Sequence, residues 1–191
     1  MQESDLVYDW NVINYDFKRD PSNHPHGVWF DDETLRDGLQ SPSARNPTVE
    51  EKIELLNYME KLGMQKVDLG LPGAGPHHVG HIDAMLTEIR EKDFQIRPGC
   101  AVRTVVGDIE PLVDLQAKHE MQIQASAFLG TSPIRQFAEN WTMERILSTA
   151  EKAVSFAVDN DIPVMFVTED TTRSKPDEIK QPEYSANIDW S

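Results

Sequence analysis

Within the seven positions from Asp31 to Asp37 the chain carries four carboxylates (Asp31, Asp32, Glu33, Asp37) and one guanidinium, Arg36. Charge at that density cannot be buried unless the groups meet one another, water or a metal ion. Val28, Trp29 and Phe30 just before it are bulky and β-favouring, so the run is predicted to follow a strand. Gly38 allows a sharp turn after Asp37, and Pro42 stops regular structure from continuing. The pattern predicts a strand whose carboxyl end offers Arg36 and Asp37 to a cavity. In folds built of parallel strands, that end is where ligands bind. Two further charged groups end apolar stretches in the same way. Arg103 follows Phe94–Val102 and suits a carboxylate or phosphate, with a structural ion pair as the alternative. Glu169 follows Pro163–Thr168 and opens the run Glu169-Asp170-Thr171-Thr172-Arg173.

The elements that must position these groups alternate in type. Strands are predicted to begin near residues 28, 65, 94, 121 and 163, each separated from the next by a helical pattern, which means βαβ units and a parallel sheet. Thr48 and Glu51 form a capping box that starts a helix burying Ile53, Leu56, Met59 and Leu62 and ending at Gly63. The next helix, near residues 78–91, is predicted to bury Val79, Ile82, Leu86 and Ile89. A third carries Ile109, Leu112, Val113 and Leu115. Thr142 caps a fourth, with Ile146, Leu147, Ala150, Ala153, Val154 and Ala157 inward. His77 and His81 share a helix face with i, i+4 spacing, but without a carboxylate at matching spacing they read, with His78, as exposed helix histidines. His24-Pro25-His26 has spacing that aims both imidazoles one way, and reads as coincidence in a polar arm.

Asp32, Thr34, Leu35, Arg36, Asp37, Gly38 and Gln40 match every specified position of a D-x-T-L-R-D-G-x-Q motif. In this the chain resembles the DRE-TIM metallolyases: 2-isopropylmalate, homocitrate and citramalate synthases and, more distantly, 3-hydroxy-3-methylglutaryl-CoA lyase. Gly130-Thr131-Ser132-Pro133-Ile134-Arg135 and the Glu169-Asp170-x-x-Arg173 run resemble later segments of the same family. The resemblance implies a (β/α)8 barrel, of which this chain is expected to supply about five βα units and to stop before strands six to eight, so a doubly wound open sheet is the weaker rival. It implies an acyltransferase that condenses acetyl-CoA with a 2-oxo acid, helped by a divalent metal (Mg2+, Mn2+ or Zn2+). By the family pattern, Arg36 and Glu169 are catalytic, Asp37 is a metal ligand, and Gln40, Asp68, Arg103 and Thr131 contact substrate. The family's His-x-His metal ligands belong to a seventh strand, so the metal site is expected to be incomplete and the chain inactive alone. Leu39 gives the R-D-G-L-Q of the lyase, while Thr34-Leu35 and Thr131-Ser132-Pro133-Ile134 look like the synthases. A lyase that cleaves a 3-hydroxyacyl-CoA, or a non-catalytic homologue, therefore stays open.

A chain of 191 residues is long enough for one domain with a core, yet short of the about 250 residues of a full barrel. Its formal charge of −15 argues against nucleic acid or an anionic membrane as partner. No apolar run approaches the length of a membrane span, and the N-terminus lacks secretory-signal features. The single cysteine, Cys100, cannot form an internal disulfide and falls in a predicted strand, which fits a buried thiol in a reducing cytoplasm. The domain reading is a polar arm over 1–27, the barrel portion over 28–177 and a divergent tail over 178–191. Unpaired sheet edges lead to the expectation of a homodimer or a missing C-terminal half.

Overall fold

The computed structural model describes residues 29–175 and 177–179, together with residue 6. The His24/His26 pair, most of the arm and most of the tail lie outside the described residues. Five parallel strands lie in the order β1-β2-β3-β4-β5: β1 (Asp31–Asp32), β2 (Lys66–Asp68), β3 (Arg97–Arg103), β4 (Gln124–Gly130) and β5 (Val164–Glu169). The helices between them are α1 (Val49–Leu62), α2 (Pro76–Glu91), α3 (Val106–His119), then α4 (Pro133–Glu139) with α5 (Met143–Asp159). The sheet curls and carries its helices on the outside, so the architecture is a partial (β/α)8 barrel. Sequence order equal to spatial order is what barrel winding gives; a doubly wound sheet would reverse order at a switch point. Among the described residues, no helix is long and apolar enough to cross a membrane.

Local chemistry explains the helix ends. Thr48 Oγ1 accepts from the Glu51 N–H, and the Glu51 carboxylate accepts from the Thr48 N–H, which completes the capping box. Gly63 closes α1 at φ 74°, a left-handed conformation that favours glycine. Thr142 caps α5 as its sequence position suggests, and Ser132 caps the short α4.

The core lies between helices and strands. Leu56 and Met59 of α1, Ile82, Met85, Leu86 and Ile89 of α2, and Ile109, Leu112 and Leu115 of α3 pack against Val67, Cys100, Val102, Ala125, Ala127 and Phe166. Small residues of α5 (Ala150, Ala153, Ala157) let that helix lie close to the sheet. Two placements differ from expectation. Leu62, assigned to the buried face of α1, is 73% exposed, because it sits in the last turn where the helix runs past the sheet. The first strand begins at Asp31 and not at Val28: Trp29 and Phe30 are exposed, with the Arg97 guanidinium 4.4 Å from the Trp29 ring. The remaining strands start one to three residues later than predicted, since periodicity marks apolar stretches and not hydrogen bonding.

Candidate active site

Strand polarity brings the candidate residues to one rim. Asp68, Arg103 and Glu169 are the last residues of β2, β3 and β5; Thr131 follows β4, and Arg36 to Gln40 follow β1. Pairing places Asp68 beside Gly99 and Gln124 on the face turned away from the core. Above them come Ala101, Ser126 and Met165, then Arg103, Phe128 and Val167, and finally Gly130 with Glu169. That concave face would line the barrel interior.

Arg36 is the hub of the first cluster. Its guanidinium lies 2.6 Å from Glu33 Oε2, 3.3 Å from Asp37 Oδ1 and, through Nε, 3.4 Å from Asp68 Oδ2. A tight loop holds it there: Asp32 Oδ1 accepts from the Thr34 N–H, and the Glu33 carbonyl accepts from the Arg36 and Gly38 N–H groups. Leu35 anchors the loop by full burial.

Asp68 is the least ordinary group at the rim. Only 3% of it is exposed, and Oδ1 accepts from the Gly70 and Ala101 N–H groups at 2.9 and 3.3 Å. Oδ2 has no hydrogen-bond partner, although Arg36 Nε faces it. Burial pushes its pKa up to about 7 and the Glu33 charge adds to the rise, against the two N–H groups and Arg36. A carboxyl so placed can hold or release a proton near neutrality. Cys100 is fully buried on the opposite side of its strand, where loss of solvation drives its thiol well above the ordinary range.

The second cluster gathers where β4 and β5 end. The Thr131 hydroxyl is buried and lies 2.9 Å from the Ser174 hydroxyl, while its N–H donates to Asp170 Oδ1 at 3.4 Å. The Ser132 hydroxyl donates to the other oxygen of Asp170, and Gln136 donates to the Thr131 carbonyl. Glu169 is exposed, with Arg135 4.0 Å away. Asp170 thus organises this cluster, a role that its position in the charged run left unstated.

Arg103 stands between the clusters and is already engaged. Its Nε and NH2 groups each lie 2.7 Å from an oxygen of Asp108, a bidentate pair, and Gly73 supplies a carbonyl at 3.4 Å. A Cβ at Gly73 would overlap the Asp108 carboxylate, so glycine there is what admits the pair. Gln40 is exposed and lines a cavity of about 250 Å3 together with Arg36, Lys52 and the three α2 histidines. Lys52 was not legible as a site residue: it reads as one more charge in a helix opening. Its signal is the i, i+4 relation to the core residue Leu56, which turns its stem inward.

Residues 28–186 match the HMGL-like family. The chain belongs to that family. Among its relatives are the 2-isopropylmalate synthases of Streptococcus gallolyticus, 32% identical over 158 residues, and of Brevibacillus brevis, 31% identical over 147. Those alignments cover 81% and 76% of this chain and 29% and 28% of the relatives. Homocitrate synthase AksA of Methanosarcina acetivorans is 28% identical over 158 residues, covering 82% of this chain and 36% of the relative. The HMGL-like chain thus spans about a third of the length of these curated relatives. The D-x-T-L-R-D-G-x-Q motif lies within the matched residues, in the loop after β1. For the metal that the family implies, the described residues do not suffice. Among them no group of three or more His, Cys, Asp or Glu converges. Asp37 is a single carboxylate, 65% exposed and turned toward Arg36, and one carboxylate does not make a cage for Mg2+, Mn2+ or Zn2+.

Proposed function

We propose that this chain carries the oxo-acid-binding part of an acyltransferase that condenses acetyl-CoA with a 2-oxo acid. The observation that carries the reading is Arg36, a guanidinium fixed by Glu33, Asp37 and Asp68 at the mouth of adjoining parallel strands. In such a condensation a carbanion equivalent from the acetyl group attacks the keto carbon, and negative charge grows on the keto oxygen. A preorganised guanidinium aimed at that oxygen stabilises the charge where it develops. The two carboxylates nearest to Arg36 hold its orientation and so cut the cost of ordering it during the reaction. Asp68 tunes the charge of that assembly by keeping or releasing its proton. Gln40, in the same loop as Arg36, donates to bound substrate, and Thr131, fixed by Ser174 and Asp170, contributes to the rim at the end of β4. Glu169 relays a proton at the rim, and Arg103 meets a substrate carboxylate through the donors that Asp108 leaves free. Asp37 would be one ligand of a divalent metal, whose chemistry when bound would be to polarise the keto oxygen.

The apolar neighbours Met165 and Val167 support a 2-oxo acid with an apolar side chain over one bearing a second carboxylate. Turnover is proposed to need groups beyond those described, from a second copy or from additional chain. Cys100, buried as a free thiol, supports a reducing compartment such as the cytoplasm.

The test is ligand-observed NMR of the full chain with pyruvate and 2-oxoisovalerate, run beside an assay of free CoA thiol from acetyl-CoA with Mn2+. Saturable binding of a 2-oxo acid that Arg36→Gln weakens by about tenfold or more supports the reading. No saturable binding, or binding indifferent to Arg36→Gln, sinks it. Release of acetoacetate from hydroxymethylglutaryl-CoA would assign the chain to the lyases instead.

A further inference from the structure

The cavity beside Arg36 has a feature that the condensation does not use. Lys52 is only 7% exposed, projects from the first turns of α1, and makes no ion pair among the described residues. Its stem is buried and its ammonium opens on a cavity wall that carries no carboxylate, and loss of solvation pulls its pKa down. Three imidazoles of α2 surround the same space: the rings of His77 and His81 lie 4.1 Å apart, and those of His77 and His78 5.9 Å apart. Partial burial lowers the pKa values of His78 and His81, and the charge of Lys52 lowers them further. Asn46 and Arg36 complete the polar wall, and no carboxylate lines it. The carboxylate whose charge reaches His81 is Glu50, on the exposed side of α1. In a chain of 33 acidic residues against 18 basic ones, a cavity walled by basic and neutral side chains only is a selected environment.

We propose that this cavity is an oxyanion site that takes a phosphate group, with the Lys52 ammonium as its anchor and His77, His78 and His81 around it. A monoanion would neutralise Lys52 alone, whereas clustered imidazoles take up protons as a second negative charge arrives, which suits a dianion. The donors converge from α1, α2 and the loop between β1 and α1, so a tetrahedral group meets them on several sides. The site does not depend on the condensation reading. The phosphate has two possible sources, free inorganic phosphate and the phosphates of a CoA thioester, and both present the same chemistry.

The experiment follows the side-chain 15N resonances of the histidines in the full chain while inorganic phosphate is added, against sodium chloride of equal ionic strength. Saturable shifts of His77, His78 and His81 toward the protonated form are expected, with the buried His119 unmoved. Lys52→Met keeps the apolar stem, and should weaken phosphate binding by roughly tenfold or more without lowering the melting temperature. His81→Asn should weaken it less and still fold, since His81 is only partly buried. Competition with CoA, dephospho-CoA and pantetheine separates the sources. Displacement by CoA but not pantetheine assigns the phosphate to the thioester, and no displacement by CoA assigns it to the free anion. Shifts that fail to saturate, shifts that sodium chloride reproduces, or an affinity unchanged in both Lys52→Met and His81→Asn would overturn the proposal.

Discussion

Asp68→Asn probes the rim more sharply than any other single change. The native carboxyl, pushed to about 7 from its ordinary 3.8, binds a proton more tightly when the chain is folded than when it is unfolded. Its contribution to stability is therefore fully present below about pH 4 and is lost as pH rises through about 7. At about 1.4 kcal/mol per pH unit, that window is worth on the order of 4 kcal/mol. Asparagine has nearly the same shape, keeps an oxygen for the Gly70 and Ala101 N–H groups, and cannot ionise. The assay is urea unfolding of both proteins at intervals from pH 4 to 8.5, with the difference in stability plotted against pH. Every other titrating group is common to the two, so the difference isolates Asp68. Relative to wild type, the variant should gain stability as pH rises from 4 to 8, by a few kcal/mol, and level off above that. A flat difference would show that Asp68 is ionised throughout as an ordinary partner of Arg36. A difference of opposite slope would refute the account of burial that places it at the mouth.

Two further changes test how the rim is supported. Thr48→Ala removes the hydroxyl that accepts from the Glu51 N–H while the residue-48 N–H keeps its bond to the Glu51 carboxylate, and should cost about 1 kcal/mol in chemical denaturation without altering ligand binding. Gly73→Ala places a methyl group against the Asp108 carboxylate, so the bidentate pair with Arg103 must open; a loss of about 1–3 kcal/mol is expected, and Arg103→Gln should make the second change nearly silent in a double-mutant cycle.

The strand–helix alternation was legible because α1, α2, α3 and α5 each show an apolar stripe and two of them, α1 and α5, a threonine cap; the Thr48 box and the Ile146-to-Ala157 face appear in the structure as read. Arg36, Asp37 and Asp68 were also legible, and they do meet. What could not be read was contact between distant positions. Asp108 lies five residues past Arg103, with nothing in its spacing to say that it claims the guanidinium. Lys52 looked like surface charge, because one helical position decides whether a long stem points inward. Asp170 was one acid in an acidic run until the fold set it under Ser132 and Thr131. Leu62 failed the other way, an apolar residue in step with its helix but beyond the reach of the sheet.

The two flanks of the sheet are unequal. β1 offers two residues of ladder and β5 offers six, Val164 to Glu169. An incoming strand, whether from another copy or from further along a longer polypeptide, gains far more main-chain hydrogen bonds alongside β5 than alongside β1. Any growth of the curved wall would thus be directional, zipping outward from the Glu169 side, with the stubby flank at Asp31 accepting a neighbour last. The loop bearing Arg36 sits at that late-closing seam, so the enclosure of its guanidinium would be the final event of assembly.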